Sequence, residues 1–243
     1  MSKFESPKGI ERRFATSLRQ IARAVGMLIK VSTDGATIRN PAQMMEQLTK
    51  YSESLTPWSE RIVNEMIESV SRRNKRAFMG ESKELAQALR DEFRLSGLGL
   101  VAKQLQTEQV NLIKSLPIEA GLRAQKLSQE AAMNGARAPE IAKQIAETEG
   151  ITLRRATLIA RTETAKANAA FTQARAQYVG ATHYIWRTAR DGDVREQHSE
   201  LDGEVFRFDQ PPYIEGEGNH NPGEIWNCRC FAEVILPGRE RED

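Results

Sequence analysis

All three histidines, His183, His198 and His220, and both cysteines, Cys228 and Cys230, fall late in the chain, between residues 183 and 230. Two residues separated by one on an extended strand project to the same side, so the thiols of Cys228 and Cys230 can share a ligand. With His198 and either His220 or Asp193 they form a four-ligand nitrogen and sulfur set of the kind Zn²⁺ takes, and a structural zinc is the one cofactor the set suggests. Zinc knuckles separate their cysteines by two or more residues, so the same side chains also read as two small buried hydrophobes beside a hydrogen-bonded histidine. A pair this close cannot staple distant parts of a fold, which excludes a disulfide framework. The run Asn219, His220, Asn221 beside the cysteines has the composition of a histidine-metal nuclease site. Against that reading, the surrounding region is acidic and would repel phosphates, and the paired strand and helix such a site requires are missing.

These residues need strands and loops to hold them. THYIWRT, EVFRF and RCFAEVIL are rich in β-branched and aromatic residues and read as strands of a short antiparallel sheet. Between them, ARDGDVREQHSELDG and FDQPPYIEGEGNHNPGEIWNC are rich in Gly, Pro, Asn and Asp and read as loops, with a short helix over 194–201. Before the strands, a helix is expected from Thr152, as cap, to Tyr178, with Gly180 ending it. Its Ala156, Ile159, Glu163, Ala167, Ala170 and Ala174 share one face, and Glu163 there calls for a partner, most simply an internal ion pair. Arg195 and Arg229 are fork donors suited to Asp193, Glu163 or a partner's carboxylate, and such pairs would lock the long loops onto the sheet.

Upstream the chain reads as helix throughout. Apolar residues at Ile10, Phe14, Leu18, Ile21, Val25 and Leu28 mark one face of an amphipathic helix. Its other face carries Lys8, Arg12, Arg13, Arg19 and Arg23, which can meet phosphates or an acidic protein surface, or can simply be solvated. A turn at Ser32, Thr33, Asp34 and Gly35, followed by Asn40 and Pro41, predicts a helical hairpin. Further helices are expected over 40–53, 56–78, 81–95, 99–115, 117–134 and 138–148, with Gly80, Gly97, Gly99, Pro117 and Gly135 as breakers. No fixed-period repeat suggests a solenoid.

The fold class that follows is α+β, a long all-helical N-terminal region before a small module with a short antiparallel sheet. The expected domains are a helical docking region over 1–150, a C-terminal module over 151–236 and a charged tail over 237–243. The 243 residues, 40% hydrophobic and 28% charged, are enough for one large or two small globular domains. The net charge of +2 conceals a division. Residues 1–180 hold 28 Lys and Arg against 19 Asp and Glu, whereas 181–243 hold 7 Arg against 14 Asp and Glu. Such asymmetry suggests different partners for the two regions. No apolar stretch reaches the roughly 18 residues a membrane span requires, and MSKFESPKGIERRF lacks the apolar segment of a signal peptide, so a cytoplasmic start and no membrane partner are expected.

The strings IARTETAKANAAFTQARAQYVG, YIWRTARDGDVREQHSELDGEVF and PGEIWNCRCFAEVI occur in that order. Together they resemble the C-terminal domain of the Mu F-like minor head proteins of tailed bacteriophages. The resemblance covers about Ile151 to Leu236 and rests on the whole pattern: an A-R-T-E helix, an aromatic strand, D-x-R-x-x-H before an L-D-G turn, then P-G and N-C-R-C. The matching positions are Arg161, Glu163, Trp186, Asp193, Arg195, His198, Gly203, Pro222, Gly223, Cys228, Arg229 and Cys230, and the family assigns none of them an established catalytic role. The resemblance implies a non-enzymatic head-morphogenesis protein at or near the portal vertex and inside the capsid. Implied partners are portal protein, major capsid protein and packaged DNA, in the virion and, during assembly, in the host cytoplasm. The competing classes are a metal-dependent nuclease, an ADP-ribosyltransferase-like or other effector enzyme, and a scaffold that leaves the mature particle.

Overall fold

The computed structural model describes residues 3–34, 37–81, 83–89, 97–134 and 138–237. Helix α1 (Lys8–Ser32) is followed by a two-residue antiparallel bridge, β1 (Thr33–Asp34) with β2 (Thr37–Ile38). Then come α2 (Pro41–Ser54), α3 (Thr56–Met79), α4 (Lys83–Ala88), α5 (Leu98–Asn134) and α6 (Ala138–Tyr178). After α6 lie β3 (His183–Arg187), α7 (Glu196–Glu200), β4 (Val205–Arg207), β5 (Tyr213–Ile214), β6 (Gly218–Asn219) and β7 (Phe231–Ile235). The fold is therefore α+β, with a three-stranded antiparallel sheet in the order β4-β3-β7 and a small β5-β6 hairpin.

The chain packs as two compact units. A sheet unit comprises Met1–Glu11, Glu65–Gln106 and Arg161–Asp243, and a helical unit comprises Arg12–Asn64 and Thr107–Ala160. The packing thus follows a different division from the partition at 150, a position that lies inside α6. Apolar contacts, which do not track composition, assign the N-terminal segment and part of α3 to the sheet. Residues 238–243, most of the expected charged tail, and the 90–96 part of the helix expected over 81–95 lie outside the described residues, as do Gly35 and Gly135.

In the helical unit, the α1 stripe buries Phe14, Leu18, Ile21, Val25 and Ile29. Asn40 caps α2, its side-chain oxygen accepting from the Gln43 amide at 3.0 Å, and Pro41 occupies the first turn, where a missing N–H costs nothing. Two expected breaks are absent. Pro117 sits inside α5, because Ile113, Leu116, Ala120 and Ala124 around it are all buried and their packing outweighs a loss of about 3 kcal/mol for an interior proline. Thr152 does not cap a new helix. Its hydroxyl donates to the Thr148 carbonyl at 2.7 Å within a continuous α6, with Ile145 and Ala156 buried on either side.

In the sheet unit, α6 ends where expected. Gly180, at φ +78°, lets the Ala181 amide reach the Ala176 carbonyl at 2.8 Å, a Schellman-type closure. Tyr184 and Trp186 of β3 point inward opposite Val234 and Ala232 of β7. Phe4, Phe78 and Leu89 from the N-terminal segments share that core. Arg175 of α6, a fully buried arginine, donates to Asn74 at 2.7 Å and to Ser71 at 2.9 Å.

Candidate metal-binding site

Helix α7 and the segment entering β7 bring three predicted residues together. His198, Cys228 and Cys230 are 1%, 2% and 4% exposed, and their ligand atoms lie within 4.8 Å of one another. His198 Nδ1 is 3.6 Å from Cys228 Sγ and 3.5 Å from Cys230 Sγ. The other ring nitrogen, Nε2, lies 3.0 Å from Glu217 Oε2 on the β5-β6 turn, and Arg195 Nε is 3.3 Å from the second oxygen of that carboxylate. The Cys230 amide donates to Cys228 Sγ at 3.4 Å, and the buried Trp186 indole meets the His198 ring edge-on at 5.6 Å.

The polar surroundings act on all three groups. A hydrogen bond with Cys228, and a weaker one with Glu217, hold the His198 pKa above its usual value against the opposing effect of burial. The Cys228 thiol is pulled down, first by the hydrogen bond from Cys230, with His198 and the amides of Cys230 and Gly223 adding to it against the opposing effect of burial. Cys230 is pushed up by the same bond and by burial. A thiol, an imidazole and a carboxylate in line is also how a nucleophilic cysteine is activated. Here Cys228 is 2% exposed and offers no face to a substrate. Two readings remain for the buried trio, a hydrogen-bonded structural cluster and a metal-ligand set.

The remaining predicted residues form the frame. Arg229 clamps the loop after β3, 2.7 Å from Asp191 Oδ1 and 3.2 Å from Asp193 Oδ2. Asp193 is thus spent on an arginine at the surface. Arg195 donates to the Trp226 carbonyl at 2.9 Å and meets Glu217, so neither arginine takes Glu163. Glu163 is buried in α6, with Lys166 Nζ at 3.6 Å. Arg161 donates to Asn227 at 3.3 Å, and Thr162 accepts from the Asn227 amide at 3.0 Å, which ties α6 to the segment before the cysteines. Gly203, at φ +101°, turns the chain after α7 so that its amide reaches the Trp186 carbonyl. Pro222 precedes Gly223, which is pressed against α6. A Cβ on Gly223 would meet Ala169 Cβ and the Cys230 carbonyl, both at 3.2 Å.

His220 does not join the cysteines. Its Nε2 lies 2.7 Å from the Glu217 carbonyl oxygen of its own turn, while Asn219 donates to the Pro211 carbonyl and Asn221 to the Phe208 carbonyl. The trio read as a nuclease motif therefore braces its own loop. Glu217, which orients His198, was missed from the sequence because it is one of several acidic residues in that loop and acts through a turn whose geometry composition does not reveal. On α1, Arg12, Arg13 and Arg23 are exposed, and Arg19 is half-buried with a hydrogen bond to Thr16.

The ordered set of helix, aromatic strand, arginine clamps and paired cysteines coincides with a match over residues 124–233 to the family described as Phage Mu protein F like protein. That match covers 110 of the 243 residues, a little under half of the chain. The family is a phage, head-related one. An uncharacterized protein of Haemophilus influenzae is 36% identical over 137 residues, which is 56% of this chain and 30% of that protein. The chain thus spans less than a third of the length of this relative. No solved structure matches the chain. None of its described helices is long and apolar enough to cross a membrane.

Proposed function

We propose that this protein is a minor head protein of a tailed bacteriophage that acts in head morphogenesis without catalysing a reaction, at or near the portal vertex and inside the capsid. The match of residues 124–233 to the Mu F-like family carries this reading. Two structural observations support it. The residues with the most reactive chemistry are buried and spent on the module's own frame. The exposed Arg12, Arg13 and Arg23, with Arg19, form a cationic face on α1 suited to an acidic portal or capsid surface or to the phosphates of packaged DNA.

Quantitative mass spectrometry of purified virions and precursor heads, counting this protein against portal subunits, tests the proposal. A fixed low stoichiometry in both is expected. Presence in precursors alone would make the protein a scaffold, and absence from both would overturn the head reading.

A further inference from the structure

We propose that His198 Nδ1, Cys228 Sγ and Cys230 Sγ bind one zinc ion, with water in the fourth position. An imidazole nitrogen has a single in-plane lone pair or a single N–H, so it can serve one hydrogen-bond partner well. Here two sulfurs lie at nearly equal distances from it, 3.6 and 3.5 Å. A central ion accounts for both. Zinc bonds of about 2.0–2.1 Å to nitrogen and about 2.3 Å to sulfur, set at a tetrahedral angle, place the two ligand atoms about 3.5 Å apart. Soft thiolates together with imidazole favour zinc over the hard cations. Two thiolates and a neutral imidazole also cancel the charge of Zn²⁺, which makes the complex tolerable in a buried site.

The surroundings are those of a metal site. Glu217 accepts from Nε2–H at 3.0 Å, which fixes the tautomer that presents the Nδ1 lone pair to the ion, an orienting contact common to zinc-bound histidines. The Cys230 amide donates to the Cys228 sulfur at 3.4 Å. The Trp186 indole N–H is buried without an oxygen or nitrogen acceptor, and its ring packs edge-on against His198 at 5.6 Å. Among the described residues no fourth His, Cys, Asp or Glu joins the three, so the last position falls to solvent. The ion would pin α7 to the strand-entry segment of β7, across a sheet of only three short strands. The site is independent of the head proposal, and either can fail without the other.

The test uses the full chain, purified without added metal or chelator. Elemental analysis is expected to give about one zinc per chain, and X-ray absorption to show a first shell of two sulfurs and two lighter atoms. Removal of zinc by a chelator is expected to lower the melting temperature of the sheet unit, with recovery when zinc chloride is returned. His220→Ala is expected to retain the metal, and Glu217→Gln to weaken affinity by roughly 10- to 100-fold while the thiols stay intact. Cys228→Ser and His198→Ala should lose it. Because those two variants can also unfold, the wild-type measurements decide the matter. Absence of zinc with no uptake from added zinc chloride, a first shell without sulfur, or a Cys228–Cys230 disulfide in freshly prepared protein would each overturn the proposal. Loss of the metal in a folded His220→Ala protein would overturn the ligand assignment.

Discussion

Replacing Gly223 with alanine tests the idea that the cysteine segment is positioned by close backbone approach to α6. Gly223 has φ +91°, a conformation that costs an L-residue about 1–2 kcal/mol. The added methyl would also press on Ala169 Cβ and the Cys230 carbonyl, both at 3.2 Å. These belong to a helix and to a strand-entry segment, not to the tip of a flexible side chain, so the clash adds an overpacking cost of about 1–3 kcal/mol. Together they predict a loss of about 2–5 kcal/mol, or roughly 4–20 °C in melting temperature for a protein of this size. Gly216→Ala is the control. Gly216 has φ +76° but open space around its Cβ position, so only the backbone cost of about 1–2 kcal/mol remains. Thermal melts followed by tryptophan fluorescence in a Trp58→Phe background would report on Trp186 and Trp226, both in the sheet unit. If Gly223→Ala melts together with Gly216→Ala, the close approach has no energetic consequence and the reasoning fails.

Asn74→Ala removes the acceptor for the buried Arg175 guanidinium at 2.7 Å and the donor to Thr172 at 2.7 Å. It should cost about 2–4 kcal/mol, read as a lower urea midpoint, and a midpoint equal to wild type would refute the role. At Asp202, burial works against the charge, but the Thr188 amide and Arg190 outweigh it and hold the carboxyl below its usual range. A depressed folded pKa stabilises the protein above the unfolded value of about 3.9 and is lost as pH falls through the folded value. Wild type should therefore lose its urea-midpoint advantage over Asp202→Asn only below about pH 4, and a constant difference across that range would refute it. Reversing Arg12, Arg13, Arg19 and Arg23 to Glu should leave the melting curve nearly unchanged and reduce incorporation into heads, and undiminished incorporation would remove the cationic face from the assembly reading.

The elements legible in the sequence were those with strong local signals. The α1 stripe, the Asn40-Pro41 helix start, the Gly180 stop and the alternation of HYIWR and FAEVI all describe contacts made within a few residues. Pro117 and Thr152 misled because burial on both sides of each overrides a local preference, and burial is a property of distant partners. The β5-β6 hairpin was missed because its strands are two residues long and its Gly216 and Gly218 are the same residues that mark a loop. At the site, the one-residue spacing of Cys228 and Cys230, taken with His198, already suggested one nitrogen and two sulfurs. What spacing could not provide was the choice between His220 and Asp193 as a further ligand. The structure commits His220 to the Glu217 carbonyl and Asp193 to Arg229, so neither was free to join.

The charge of the chain changes near Gly180, but its packing does not change there. The three-stranded sheet offers strands of only five, three and five residues, too little apolar area to close a core alone. Phe4, Phe78 and Leu89 complete that core from segments far upstream. Polar groups follow the same route, since Asn168 of α6 donates to the Phe4 carbonyl at 2.8 Å and Arg175 is satisfied by Asn74 and Ser71. A buried guanidinium without those partners would be costly, so the stretch over 124–233 depends on residues outside it for charge satisfaction as well as for apolar cover. The motif that identifies the family and the unit that folds are therefore different sets of residues. The same dependence gives the buried His198, Cys228 and Cys230 cluster its physical rationale: where apolar area is scarce, a single central contact that joins a helix to a strand entry contributes more than another methyl group could.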